Sequence, residues 1–223
     1  MSTTSYHHGN LSQALEDAAT DLARAGGPEA VVLREAARRA GVSATAAYRH
    51  FAGQQDLLER VKQRALGVLA ERIGAALAQI PSDGDVTDAA EARLIAAGRA
   101  YVDFARTEPG YFATAFRRTG AEAAEGGSAD PEHRDLWDDS AFRMLGAILD
   151  GLVDTGVMPA DDRPHAEYAA WSAVHGLAVL LLDGPLRHMP PADQDAAIDR
   201  TLRLVVDGLT GGRGTGTGAG HGA

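Results

Sequence analysis

The chain of 223 residues has no cysteine. That excludes disulfides, thiolate metal sites, cysteine nucleophiles and thiol redox sensing. No stretch approaches the ~18–20 apolar residues of a membrane span. The polar start from Met1 to Asn10 lacks the apolar centre of a secretion signal. No membrane association is expected, and the expected compartment is the cytoplasm. Alternating β-branched runs are missing, so strands are not expected. Also missing are a phosphate-binding glycine loop, a GxSxG elbow and a dinucleotide-binding glycine pattern. Neither Glu132-His133 nor His165-x-Glu167 has the Glu-x-x-His spacing of carboxylate-bridged metal chemistry. No enzyme activity, cofactor or metal is therefore expected. Adjacent His7 and His8 point to different sides of a helix and make a poor metal pair.

What is present is ordinary for a globular protein: 45% hydrophobic and 23% charged residues, with a net charge of −10. The charge is unevenly spread. Residues 1–64 carry 8 Lys+Arg and 7 Asp+Glu, while the remaining residues have a net charge of −11. Within the near-neutral head, Arg34, Arg38, Arg39 and Arg49 cluster around the single Glu35. Such a cluster suits a duplex backbone, or equally a solvated helix face.

Alanine-rich stretches punctuated by glycine and proline predict helices throughout. Leu11, Leu15, Ala18 and Leu22 form one stripe of a first helix at about 10–25, with Asn10 as N-cap. Short helices follow at about 33–40 and 44–50. Longer ones follow at about 54–80, with Leu57, Leu58, Val61, Ala65, Leu69, Ile73 and Leu77 inward, and at 87–107. A short aromatic helix at 110–118 precedes helices at 133–155, 163–184 (Pro164 in its first turn) and 192–210. Ala121 to Glu132 reads as a loop, and the tail 211–223, with seven glycines in 13 residues, as disordered.

The stretch from Leu33 to Phe51 carries the most information. Leu33, Ala36, Ala37 and Ala40 give a helix a small apolar face, Gly41 permits a tight turn, and Ser43 caps a second helix. Ala47 and Phe51 return to the core. Two short helices about such a turn form a helix-turn-helix, whose second helix offers its outer residues to a major groove. Thr45 and Ala46 would present methyl groups to thymine, Arg49 would pair with guanine or phosphate, and Tyr48 and His50 would contact phosphates. Ser43 would serve as cap and phosphate donor, with Gln54 and Lys62 as weaker phosphate candidates.

Residues 6–64 resemble the DNA-binding domain of the TetR family of transcriptional regulators. The resemblance rests on Tyr6-His7-His8-Gly9-Asn10-Leu11, the run from Leu33 to Ser43, Tyr48-Arg49-His50-Phe51 and Asp56-Leu57-Leu58. Trp171-Ser172-Ala173-Val174-His175-Gly176 resembles the Trp-His-Gly type of C-terminal domain in one branch of that family. One departure stands out: Val32 occupies the position where the family usually has a capping Ser or Thr. The resemblance implies an all-α fold, with an N-terminal three-helix helix-turn-helix domain (1–53) and a helical effector-binding and dimerisation bundle (54–210) before the tail. It implies a repressor on double-stranded DNA.

One short recognition helix discriminates poorly, so a homodimer on a near-palindromic operator is expected. Its face would come from Ile198, Leu202, Val205 and Leu209 together with Ala166, Ala169, Ala170, Ala173, Leu177 and Leu181. An intrachain core has the same periodicity. Tyr101, Phe104, Phe112, Phe116, Trp137, Trp171 and His175 are the expected contacts of a small, mainly apolar effector, although such rings also fill ordinary cores. By analogy with the family, an effector there would shift the 110–118 helix against the 54–80 helix that carries the head, with reciprocal coupling to DNA. The competing readings are a helical-bundle enzyme and an interaction module without specific DNA binding.

Overall fold

The computed structural model describes residues 4–81, 84–117 and 140–211, with side chains from Leu11 onward. Among the described residues there are nine α-helices and no strands: α1 (Thr4–Gly26), α2 (Leu33–Arg39), α3 (Ala44–Ala47), α4 (Gln54–Leu77), α5 (Val86–Thr107), α6 (Pro109–Ala115), α7 (Ser140–Asp154), α8 (Ala166–Leu182) and α9 (Pro191–Leu209). The Ala121–Glu132 loop, Trp137, the His7 and His8 side chains and the tail beyond Gly211 lie outside the described residues.

Three helix starts or lengths differ from expectation. α1 begins at Thr4, so Asn10 lies inside the helix rather than capping it. α3 is α-helical only over Ala44–Ala47, and the next residues tighten into a turn. There Arg49 N–H and His50 N–H donate to the carbonyls three residues back, Ala46 and Ala47, at 3.2 and 2.9 Å. Short i to i+3 bonds commonly close a helix this way. α8 starts at Ala166, leaving Pro164 ahead of it, with His165 as N-cap in the left-handed region at φ 67.

The chain divides into two compact units, one of residues 1–72 and 103–141, the other of 73–102 and 142–223. In the first, α1 packs against α2 and α6, and α2 against α3. Leu15, Leu33, Leu57, Val61, Phe104 and Tyr111 are fully buried there. Complete burial of a large apolar side chain contributes ~1.5–3 kcal/mol. α6 docks on the last turn of α1 and on the one-turn helix Pro28–Ala30. Gly110 makes that approach possible, because a Cβ there would fall on the carbonyl oxygens of Ala23 and Arg24, the latter at 2.8 Å.

In the second unit α8 packs on α9. Leu149, Leu152, Met158 and Ile198 are its most buried large side chains. Arg163 ties α7 to the start of α8, donating to Asp150 and pairing with the nearly buried Glu167, both at 2.7 Å. Part of the stripe expected to face a second copy belongs to this core, while Ala169 is exposed and Ala173 half-buried. Ile198 and Leu202 are 0% and 3% exposed, and Ala166, Ala170, Leu177 and Leu181 are buried too. The buried α9 positions are Ile198, Leu202 and Val206, with Val205 and Leu209 only half-buried. A periodic stripe shows that a face is covered, not what covers it.

Candidate nucleic-acid interface and the aromatic groups

α2, the turn and α3 are built as the sequence implies. Leu33, Ala36 and Ala37 are buried. Gly41 takes φ 71, and the helix end closes by a pair of bonds, Val42 N–H to Ala37 O at 2.9 Å and Gly41 N–H to Arg38 O at 3.2 Å. This is the Schellman arrangement, in which a left-handed residue after the helix satisfies its last carbonyls. Ser43 Oγ accepts from Ala46 N–H at 3.2 Å and caps α3. Val32, at the start of α2, supplies no side-chain cap.

With Ala47 and Phe51 inward at 0% and 2% exposure, the outer residues are fixed. Ser43, Thr45, Tyr48 and Arg49 are exposed, and Ala46 and His50 are half-buried. Tyr48 shows 51% of its surface, unusual for an aromatic ring. The four clustered arginines divide. Arg38 makes two bonds to Glu35, at 2.8 and 2.7 Å, and Arg39 a third at 3.1 Å. These guanidinium groups hold the Glu35 carboxyl down at about pKa 2. Arg34 and Arg49 are exposed and have no carboxylate partner among the described residues. Gln54 is exposed at the start of α4. Lys62 is not available to a phosphate in the way expected: it is 8% exposed and lies 4.0 Å from Glu59.

Among the described residues, two groups of aromatic side chains pack together, each within one unit. In the first, Phe104 stands edge-on to Tyr111 and Phe112, at 6.2 and 6.3 Å, and Phe112 lies 4.8 Å from Phe116. Two arginines cover this group, Arg24 over the Tyr111 ring and Arg72 over the Phe104 ring. Both also bond to Glu108, the N-cap residue of α6, each at 3.2 Å, and Arg72 bonds to Thr107 at 2.7 Å. One carboxylate therefore joins α1, α4 and α6. Arg117 adds an ion pair with Glu29 of the one-turn helix. α6 rests on α1 and Pro28–Ala30 as well, and Glu108 links it to α4. Sequence reading missed Glu108; its only signal was an acidic residue immediately before Pro109.

In the second group, Trp171 Nε1–H donates to Tyr101 Oη at 3.2 Å, and Tyr101 Oη shares a 2.7 Å hydrogen bond with His175 Nδ1. Phe142 stands edge-on to Trp171 at 6.1 Å. Trp171 and His175 share a face of α8, with ring centres 5.6 Å apart. Burial lowers the His175 pKa below its ordinary 6.5.

An exposed, capped two-helix element of this kind defines a helix-turn-helix protein, a class that reads duplex grooves. Residues 15–61 match the family described as bacterial regulatory proteins, tetR family, and residues 94–205 match the tetracyclin repressor-like C-terminal domain. The chain belongs to the TetR family of DNA-binding transcription regulators. A protein of unknown function from Rhodococcus sp. RHA1 is similar in structure, with 24% identity and a TM-score of 0.70 over 93% of this chain and 100% of that one. The fatty acid degradation regulator FadR from Bacillus halodurans has 16% identity and a TM-score of 0.64, over 89% and 95% of the two chains. A TetR transcriptional regulator from Streptomyces coelicolor has 28% identity and a TM-score of 0.50, over 89% and 98%. A search of curated proteins finds no match.

Proposed function

We propose that the chain is a ligand-responsive repressor that binds a near-palindromic operator as a homodimer and is released by a small, mainly apolar effector. The observation that carries the DNA reading is the outward set on one capped element: Thr45, Tyr48 and Arg49 exposed, Ala47 and Phe51 inward. In this reading Thr45, Ala46 and Arg49 face base edges, while Ser43, Tyr48 and His50 position the element on phosphates. Residues 1–53 read DNA and residues 54–210 hold the effector and the second copy.

The second copy needs the outer face of α8 and α9, where Ala169 is exposed and Ala173, Val205 and Leu209 are half-buried. Tyr168, Val179 and Leu180 of α8 and Leu204 of α9 are apolar and 41–53% exposed. A Cβ at Gly176 or Gly208 would meet nothing within 4 Å, which leaves room for another helix. Pairing these faces gives a four-helix contact across a two-fold axis. Leu204→Glu is expected to yield monomers by analytical ultracentrifugation.

Among the expected effector contacts, Phe104, Phe112 and Phe116 adjoin α6, and Tyr101, Trp171 and His175 form the polar group of the Trp-His-Gly segment; Trp137 completes the set. A change at α6 pulls on α1 and α4 through Glu108. DNA selects one arrangement and effector the other, with equal and opposite coupling.

The test is fluorescence anisotropy of the full-length protein with DNA from upstream of its own gene at two salt concentrations. Tight, salt-dependent binding is expected, and Tyr48→Ala should weaken it on every sequence and lower the salt slope. Absence of binding, or a Tyr48→Ala protein with unchanged affinity and salt slope, rejects this interface.

A further inference from the structure

The outer face of α9 carries charges that find no partner in their own chain. Asp199, on the side of α9 that meets α5, bonds to Arg99. Its neighbour Arg200 and the later Asp207 are exposed, and neither has an ion pair or hydrogen bond to any described residue. Arg203, one turn before Asp207, is exposed and equally unpaired, so the ordinary i to i+4 bridge along the helix is not formed. Seven residues at 3.6 per turn place Arg200 and Asp207 on one flank of α9, within about 20° of each other and about 10 Å apart along it. Leu204 lies between them, about 6 Å from the level of Arg200 and about 4.5 Å from that of Asp207. It is a large apolar side chain with 53% of its surface exposed.

We propose that two copies of the chain pair through α9 in antiparallel order, with Leu204 of each at the two-fold axis and Arg200 of each bonded to Asp207 of the other. This rests on the homodimer reading above and adds what sets its register and selects its partner. In a two-fold contact, residue i meets j and j meets i. Were the two helices parallel, each residue would meet its own copy, arginine against arginine and aspartate against aspartate. In antiparallel order about Leu204, Arg200 comes within about 1.5 Å of the level of Asp207 in the second copy. A two-fold axis running between the helices reverses their direction and keeps each flank on its own side, so the two groups share a flank and the bond forms twice. Gly208 adds no side chain to this face, and a Cβ there would meet nothing within 4 Å. α8 contributes area without register. Between His165 and Asp183 its exposed residues are uncharged, and Glu167 is buried against Arg163. Apolar surface therefore supplies the contact, and the charge order on α9 selects its alignment. A chain without opposite charges at this spacing leaves Arg200 and Asp207 unsatisfied, which favours a second copy over other helical partners.

Analytical ultracentrifugation and native mass spectrometry of the full chain test the pairing. The parent is expected to be dimeric. Arg200→Asp and Asp207→Arg each turn two attractive contacts into two repulsive ones, and each should raise the dimer dissociation constant about tenfold. An equimolar mixture of these two variants should form the mixed dimer in preference to either homodimer, because an arginine of one meets an aspartate of the other at both contacts. Combining both substitutions in one chain should restore the homodimer. Recovery in the mixture and in the double variant separates lost pairing from misfolding, since a chain that failed to fold would recover in neither. A dimeric parent whose single variants dimerise as tightly, or whose mixed dimer forms only in its random share, overturns the pairing and leaves the homodimer reading standing. A monomeric parent overturns both.

Discussion

Tyr101 and Tyr111 lie ten positions apart and treat their hydroxyls in opposite ways. Tyr101 Oη receives the Trp171 N–H and bonds to His175, so its burial satisfies hydrogen-bonding groups on α8 as well as its own. Tyr111 is 0% exposed, and its hydroxyl makes no well-formed hydrogen bond among the described residues, the neighbouring Thr20 hydroxyl donating instead to Glu16 O at 2.8 Å. Burial pushes its pKa upward. Its ring is held by shape, edge-on to Phe104 and beneath Arg24. One aromatic group is organised by directed polar bonds. The other is a dry packing of rings with charges clamped around its edge. The second kind forms a stiff mount for α6, while the first contains groups that respond to protons or a polar ligand.

Substitutions can break or sharpen this contrast. The largest effect is expected for Phe104→Ala, which empties the centre of the dry group: a loss of ~3–5 kcal/mol in urea denaturation. Tyr101→Phe should cost about 1–2 kcal/mol, because Trp171 and His175 lose their shared partner. Glu108→Gln leaves Arg24 and Arg72 without a counter-charge at a partly exposed site, and about 1 kcal/mol is expected. A double-mutant cycle with Arg72→Gln should show coupling; strict additivity would dissolve the clamp. Tyr111→Phe is expected to be neutral or to stabilise by up to about 1 kcal/mol, the opposite sign to the same change at Tyr101. A marked loss at Tyr111 would end the contrast. The smallest effect is with pH. The folded-state pKa of His175 lies below its ordinary 6.5, so below that pH the unfolded chain binds more protons. Stability should therefore decline as pH falls through 6.5 and level off below the folded pKa. Urea midpoints of the parent should show this slope, and those of His175→Gln should show less of it.

The recognition element was legible because its determinants are local. Gly41 sets a backbone angle, Ser43 caps the next turn, and Ala36, Ala37 and Ala47 are small enough for helices to meet. Each acts within a few residues of itself. The early end of α3 at Ala47 was less legible, since a helix tightening into three-residue bonds leaves little trace in composition. The covering of α9 was not legible at all. Ile198 and Leu202 satisfy the same periodicity whether they meet α5 and α8 or a second copy, and the fold gave them to their own chain: Leu202 packs where Gly98 has no side chain.

The amino-acid sequence alone determined the helical character, the turn at Gly41, the Ser43 cap and the outward set of Thr45, Tyr48 and Arg49, because these follow from backbone conformation and spacing along one element. Only the tertiary structure decided that Glu108 gathers Arg24 and Arg72 and that Tyr101 is satisfied while Tyr111 is not. Those facts join residues far apart in the chain. Their pairing depends on how separate helices pack, which no local pattern encodes.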